Sequence, residues 1–166
     1  MKKVLLTICL AAATFFTAEA QNKLGYINSN ELLTLMPESK EMQTELESFA
    51  KGLESQLMAM QAEGETKFSE YQQGEATMSE LVKQDKVREL ESIQQRIGEF
   101  QQNAQQALAA KEQELITPIL DKARQAIEDV AEEGNFTYIF DASTGNILYA
   151  TESENILPLV KAKLGL

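Results

Sequence analysis

A chain of 166 residues with 15 basic and 26 acidic side chains has room for one ordinary domain and carries a formal net charge of -11. That balance disfavours nucleic acid and anionic membrane surfaces as partners, and no basic stripe reverses it. With no histidine and a single cysteine, Cys9, the chain lacks the residues for Ser-His, Cys-His or His-metal chemistry.

The first residues read as an export signal. Lys2 and Lys3 precede an apolar run from Val4 to Phe16, and Ala18-Glu19-Ala20 puts small residues at the two positions a signal peptidase reads. The run is too short to span a bilayer. Cleavage would leave a mature chain starting at Gln21, without Cys9 and therefore without disulfides. Losing Lys2, Lys3 and Glu19 would move the formal charge from -11 to -12. No later segment is apolar enough for stable membrane insertion.

Three zones follow, with expected bounds of 21–36, 37–133 and 134–166. In the first, Lys23 to Asn28 (KLGYIN) predicts a strand, and Ser29 or Asn30 can cap a brief helix through Leu35. Pro37 suits the first turn of the next helix.

The second zone is rich in Glu, Gln, Ala, Lys, Leu and Met, all good helix formers. Its apolar residues recur every 11 positions: Met42, Leu46 and Phe49, then Leu53, Leu57 and Met60, then Gly64, Phe68 and Tyr71. In the second half Ile93, Ala104, Leu115 and Ala126 keep the same period, as do Ile97, Leu108, Ile119 and Val130. Such a repeat averages about 3.67 residues per turn and predicts nearly straight helices, each with one apolar stripe. A stripe needs a partner, and the simplest one is the other half of the zone folded back antiparallel. The repeat has lost phase by Glu75, Ser79 and Val82, which puts the tip at 74–84. Pro118 removes a backbone donor and predicts either a kink or a boundary between two helices.

In the third zone Glu133-Gly134-Asn135 reads as a helix stop. Phe136 to Asp141 (FTYIFD) predicts a strand, Ala142 to Asn146 a turn, and Ile147 to Ala150 (ILYA) its hairpin partner. Asn155 can cap a last helix from Ile156 to Leu164. Both faces of these strands carry apolar groups, more than one short helix can cover. Self-association through the sheet is the simplest remedy. Its candidate core residues are Tyr26, Ile27, Phe136, Tyr138, Phe140, Ile147 and Tyr149.

No glycine loop cradles a phosphate, and the many acidic pairs read as hydrated helix faces. No catalytic, metal or cofactor-binding residue is expected, and no cofactor. Asn135-Phe136-Thr137 matches a glycosylation sequon, a short pattern that recurs by chance. The apolar stripe is first of all hairpin core. Residues near the tip, where pairing is weakest, are the candidates for contact with a client: Phe68, Tyr71, Met78 and Leu81.

Taken together, an export signal, LGYIN, Pro37-Glu38 opening a Glu/Gln/Lys-rich helical hairpin, YIFDAS (Tyr138 to Ser143), ILYA and ENILPLVKAKL (Glu154 to Leu164) resemble the Skp/OmpH family of periplasmic chaperones across the mature chain. The resemblance implies a mainly α fold with a small β part. Each chain would contribute a long antiparallel helical hairpin, and three chains would share a trimeric β-barrel core with three tentacles. It implies a homotrimeric, ATP-independent holdase that encloses unfolded outer-membrane β-barrel proteins in the periplasm. The best-known members are basic, and this chain is acidic, so no lipopolysaccharide site is carried over. Capture would rest on apolar contact and enclosure, favour basic or neutral clients, and change little with salt. Two rivals predict differently: a periplasmic coiled-coil scaffold with one dedicated partner, and an enzyme built on carboxylates alone, which would need a cleft holding two buried acids.

Overall fold

The computed structural model describes residues 22–166, so the expected export signal lies outside the described residues. In chain order the elements are β1 (Leu24–Ile27), α1 (Ser29–Leu35), α2 (Pro37–Gly74), a 3-10 turn (Glu75–Thr77), α3 (Glu80–Glu133), β2 (Tyr138–Asp141), a second 3-10 turn (Glu152–Glu154) and α4 (Leu157–Leu164). They fall into two compact units: a body of residues 22–29 with Ala126–Gly165, and an arm of Asn30–Gln125. The divisions therefore lie inside helices. Composition changes elsewhere, near positions 37 and 133.

The body is built on two parallel strands, in register from Leu24 opposite Tyr138 to Ile27 opposite Asp141. Parallel pairing requires a long crossover, and the whole helical segment supplies it. The Thr137 amide donates to the Lys23 carbonyl at 2.7 Å and the Ala142 amide to the Ile27 carbonyl at 2.8 Å, extending the ladder at both ends. The other edge of β1 is taken by the Ile156 amide, which donates to the Tyr26 carbonyl at 3.0 Å. The expected β-hairpin is absent. Residues 147–150 form no strand, and the strand that β2 pairs with is β1.

Ile27, Ile156, Leu157, Val160, Ala126 and Val130 form the buried core of the body. The Asn155 side-chain oxygen, one residue before the N-cap Ile156, accepts the first amide of α4, that of Leu157, at 3.0 Å. Lys163, in the last turn of α4, pairs with Asp129 at 3.2 Å and Glu133 at 2.7 Å. At the end of α3 the left-handed residue is Asn135 (φ 52°), and Gly134 has a different role. A Cβ on Gly134 would stand 2.5 Å from the Phe136 ring, so its hydrogen is what lets that ring fold back. Lys23 secures the same corner. Its ammonium donates to the Gly134 carbonyl at 2.7 Å and lies 4.1 Å from the Phe136 ring centre, a cation at a helix C-terminus.

α1 is capped from a distance. The Asp141 carboxylate accepts the Ser29 amide at 3.2 Å, the Ser29 hydroxyl at 2.6 Å and the Ser143 amide at 2.9 Å. Burial pushes the Asp141 carboxyl up, but the Ser29 and Ser143 hydrogen bonds outweigh it and hold the group below its ordinary value. A depressed folded-state value means stability that is fully present above the unfolded value of 3.8 and is lost as pH falls through the lowered one. Asp141→Asn is expected to cost about 1 kcal/mol at neutral pH, after discounting for solvent exposure. The gap between wild-type and variant urea midpoints should close as the pH drops below that range.

In the arm, the partners run in opposite directions. Glu38 pairs with Lys122, Glu45 with Lys111, Glu63 with Arg96, and Glu89 with Lys67. As the α2 position rises the α3 position falls, which makes the hairpin antiparallel. The connection occupies Glu75 to Ser79, where Met78 folds its methyl over Gly74. α3 continues through Pro118, so the expected alternative of two separate helices does not hold. The Thr117 hydroxyl donates back to the Gln113 carbonyl at 2.7 Å beside it.

Candidate functional site

No residue of α2 is buried along its 38 positions. Its stripe residues, from Met42 to Met60, are only half-buried, and between Glu80 and Pro118 only Ile93 of α3 is buried. Leu32, Met36, Ile119 and Ala123 are buried at the base of the arm, but beyond them the hairpin has an apolar seam with little enclosed core. A seam of this kind can pack on a partner helix and still offer apolar surface to something else.

The seam changes period toward the tip. From Met42 to Met60 the half-buried positions are those of the eleven-residue series with Ala50 added, but beyond Met60 they fall at Gly64, Lys67, Tyr71 and Gly74, a seven-residue pattern. Phe68, a member of the sequence repeat, is thereby displaced from the seam and is 51% exposed. Lys67 takes its place and pairs with Glu70 at 3.7 Å and Glu89 at 3.3 Å. At Gly64 the helices come close: a Cβ there would lie 3.2 Å from the Ile93 side chain. Beside this pinch a groove of about 690 Å³ opens, lined by Phe68, Tyr71, Val87, Leu90 and Ile97.

The four tip candidates therefore divide. Phe68 and Tyr71 line the groove, Leu81 is 66% exposed outside it, and Met78 packs on Gly74 within the turn. Sequence reasoning missed Val87 and Leu90, which fall outside the eleven-residue series and face the groove only because the period has shifted. The Tyr71 hydroxyl donates to Glu75 at 3.3 Å, and burial together with the Glu75 charge pushes its pKa up.

The second surface lies on the body. Leu24, Tyr138 and Phe140 are exposed on one face of the two strands, and the Tyr138 and Phe140 rings stand 6.3 Å apart. Past the turn at Gly145, Leu148 is 96% exposed and Tyr149 is 85% exposed, while Ile147 is half-buried. Tyr26 is half-buried, with its hydroxyl 3.5 Å from Glu152, and burial followed by the Glu152 charge raises its pKa. Ile27 is 2% exposed and already belongs to the chain's own core, and Phe136 is half-buried against Lys23. Of the self-association candidates, Tyr138, Phe140 and Tyr149 are the exposed ones. Leu24 and Leu148 join them without having been singled out from sequence.

Among the described residues, no group of three or more His, Cys, Asp or Glu side chains is placed to hold a metal ion. No helix there is long and apolar enough to cross a membrane.

The family model for outer membrane protein (OmpH-like) matches residues 23–164. The chain is 26% identical over 161 residues to the chaperone protein Skp of Yersinia enterocolitica, covering 94% of each chain. It is 28% identical over 131 residues to Skp of Vibrio cholerae serotype O1, covering 76% of this chain and 75% of that one. In fold it is similar to an OmpH-like crystal structure from Caulobacter crescentus CB15, with a TM-score of 0.78 at 14% identity over 87% of this chain and 85% of that chain. Since one family model spans both strands, the whole arm and the final helix, the chain belongs to the Skp/OmpH chaperone family.

Proposed function

We propose that the protein is an ATP-independent holdase of the periplasm, without enzymatic activity, that receives unfolded outer-membrane β-barrel proteins and keeps them from aggregating. The observation that carries this reading is the open seam: a long helical hairpin whose apolar stripe stays half-exposed along α2. An unfolded barrel strand exposes apolar faces and unpaired backbone groups that would otherwise pair with other clients. Contacts to a half-exposed seam are individually weak, and several arms acting on one client add through effective concentration. Weak contacts also permit release without nucleotide.

The exposed Leu24, Tyr138, Phe140, Leu148 and Tyr149 support self-association of the body, with a homotrimer around a shared β-barrel as the assembly that the family resemblance implies. Three arms then border one cavity.

The test is dilution of a urea-unfolded outer-membrane barrel protein into buffer with increasing amounts of the mature chain, followed by light scattering. Suppression should saturate at about three chains per client, the enclosure expected of a trimer with additive weak contacts. If scattering is unaffected for acidic and basic clients alike, the holdase reading fails and the scaffold with one dedicated partner replaces it.

A further inference from the structure

The distal groove has a charge pattern as well as an apolar floor. Its lining includes two carboxylates, Glu65 and Glu91, and no Lys or Arg. Four of the cations around it are engaged elsewhere, and Lys83 lies in the adjoining depression. Lys67 is held by Glu70 and Glu89, Lys86 by Glu89, Arg88 by Asp85, and Arg96 by Glu63. Among the described residues, neither Glu65 nor Glu91 makes an ion pair. Next along the hairpin, Glu91 also lines a depression with Glu75, Glu80, Lys83 and Arg88, where cations are present, whereas the lining of the Phe68 groove holds none.

We propose that this groove takes the aromatic or aliphatic side chains of an unfolded segment whose flanking residues are Lys or Arg. The proposal rests on the holdase reading and names the client chemistry that this arm selects. Phe68 is available because the change of period moves it off the seam, and Lys67 in its place is neutralised by two carboxylates. An apolar side chain entering the groove brings its neighbours to the rim. Acidic neighbours there would meet like charge, while basic ones would find Glu65 and Glu91 unpaired. The small salt dependence expected from composition then applies to clients with neutral flanks only, since attraction between exposed charges is screened.

The test uses the full mature chain and two fluorescent peptides with the same alternating Phe-Thr core, one flanked by lysines and one by glutamates, read by anisotropy. The Lys-flanked peptide should bind about tenfold more tightly at low salt, with the advantage shrinking at high salt. Glu65→Gln with Glu91→Gln should abolish the preference while circular dichroism and the melting temperature stay unchanged. Phe68→Ala should weaken both peptides. Equal binding to the unsubstituted chain overturns the proposal, as does a preference that survives the double substitution, which would reflect the diffuse charge of the arm. Scattering suppression measured on the same preparations separates the two levels. A chain that suppresses aggregation without discriminating between the peptides contradicts the groove proposal alone. A chain that neither suppresses aggregation nor binds either peptide contradicts the holdase reading as well.

Discussion

Ile156→Ala is expected to be among the most damaging single substitutions in the body, lowering stability by about 2–5 kcal/mol. Ile156 is 1% exposed, its amide donates to the Tyr26 carbonyl, and its side chain fills the space that Gly25 leaves open. Truncation leaves a cavity between β1 and the start of α4 that neither element can close, because backbone hydrogen bonds hold both. The converse change tests the same contact. Gly25→Val would put a Cβ 3.0 Å from the Ile156 side chain and 3.0 Å from the Phe136 ring. Overpacking of that kind costs about 1–3 kcal/mol. Both variants should shift the urea midpoint downward. Combined, they should lose less than the sum of the two, since they act on one contact. An unchanged midpoint for Ile156→Ala would mean that β1 and α4 do not pack as described.

Leu148→Asp with Tyr149→Asp is expected to reduce the protein to monomer without unfolding it. These side chains are 96% and 85% exposed in the single chain, so the substitutions remove almost no intramolecular contact. If they are covered on assembly, each contributes about 1.5–3 kcal/mol of apolar burial per chain. Losing both then weakens association by about a hundredfold or more. Sedimentation of the variant should give the monomer mass under conditions where the unsubstituted chain is larger, with unchanged helicity. If the variant keeps the mass of the unsubstituted chain, this segment takes no part in the assembly.

Regular periodicity was the most legible feature of the sequence. The eleven-residue series from Met42 to Met60 marks the seam of α2, and the loss of phase near Glu75 coincides with the break between α2 and α3. Less legible were contacts between residues far apart in sequence. Nothing local shows that Asp141 caps α1, that Lys23 sits on the end of α3, or that β2 runs parallel to β1. FTYIFD and ILYA, separated by a glycine turn, carry the local signature of a hairpin, yet β2 pairs with β1 from the far end of the chain and residues 147–150 form no strand. Asn135 shows the same limit on a smaller scale. A Gly-Asn pair marks a helix stop, but the packing of the Phe136 ring decides which of the two turns left-handed.

The groove near the tip was partly legible. Phe68 and Tyr71 were found by their place in the series, and on that ground Phe68 would be core. It is exposed because beyond Met60 the half-buried positions keep a seven-residue spacing that passes through Lys67 instead, next to the close approach of Gly64 to Ile93. That switch depends on the partner helix, so α2 alone could not show it. Charge was legible as a total but not as a pattern. The pairing of Lys67, Lys86, Arg88 and Arg96 with other carboxylates leaves Glu65 and Glu91 without an ion pair among the described residues.

The most direct test of the holdase reading is sedimentation of the mature chain mixed with a urea-unfolded outer-membrane barrel protein at the moment of dilution. The reading predicts one soluble species larger than the free chaperone, containing one client and about three copies of the chain, with no added nucleotide. A client that pellets while the chain sediments as if alone would contradict it.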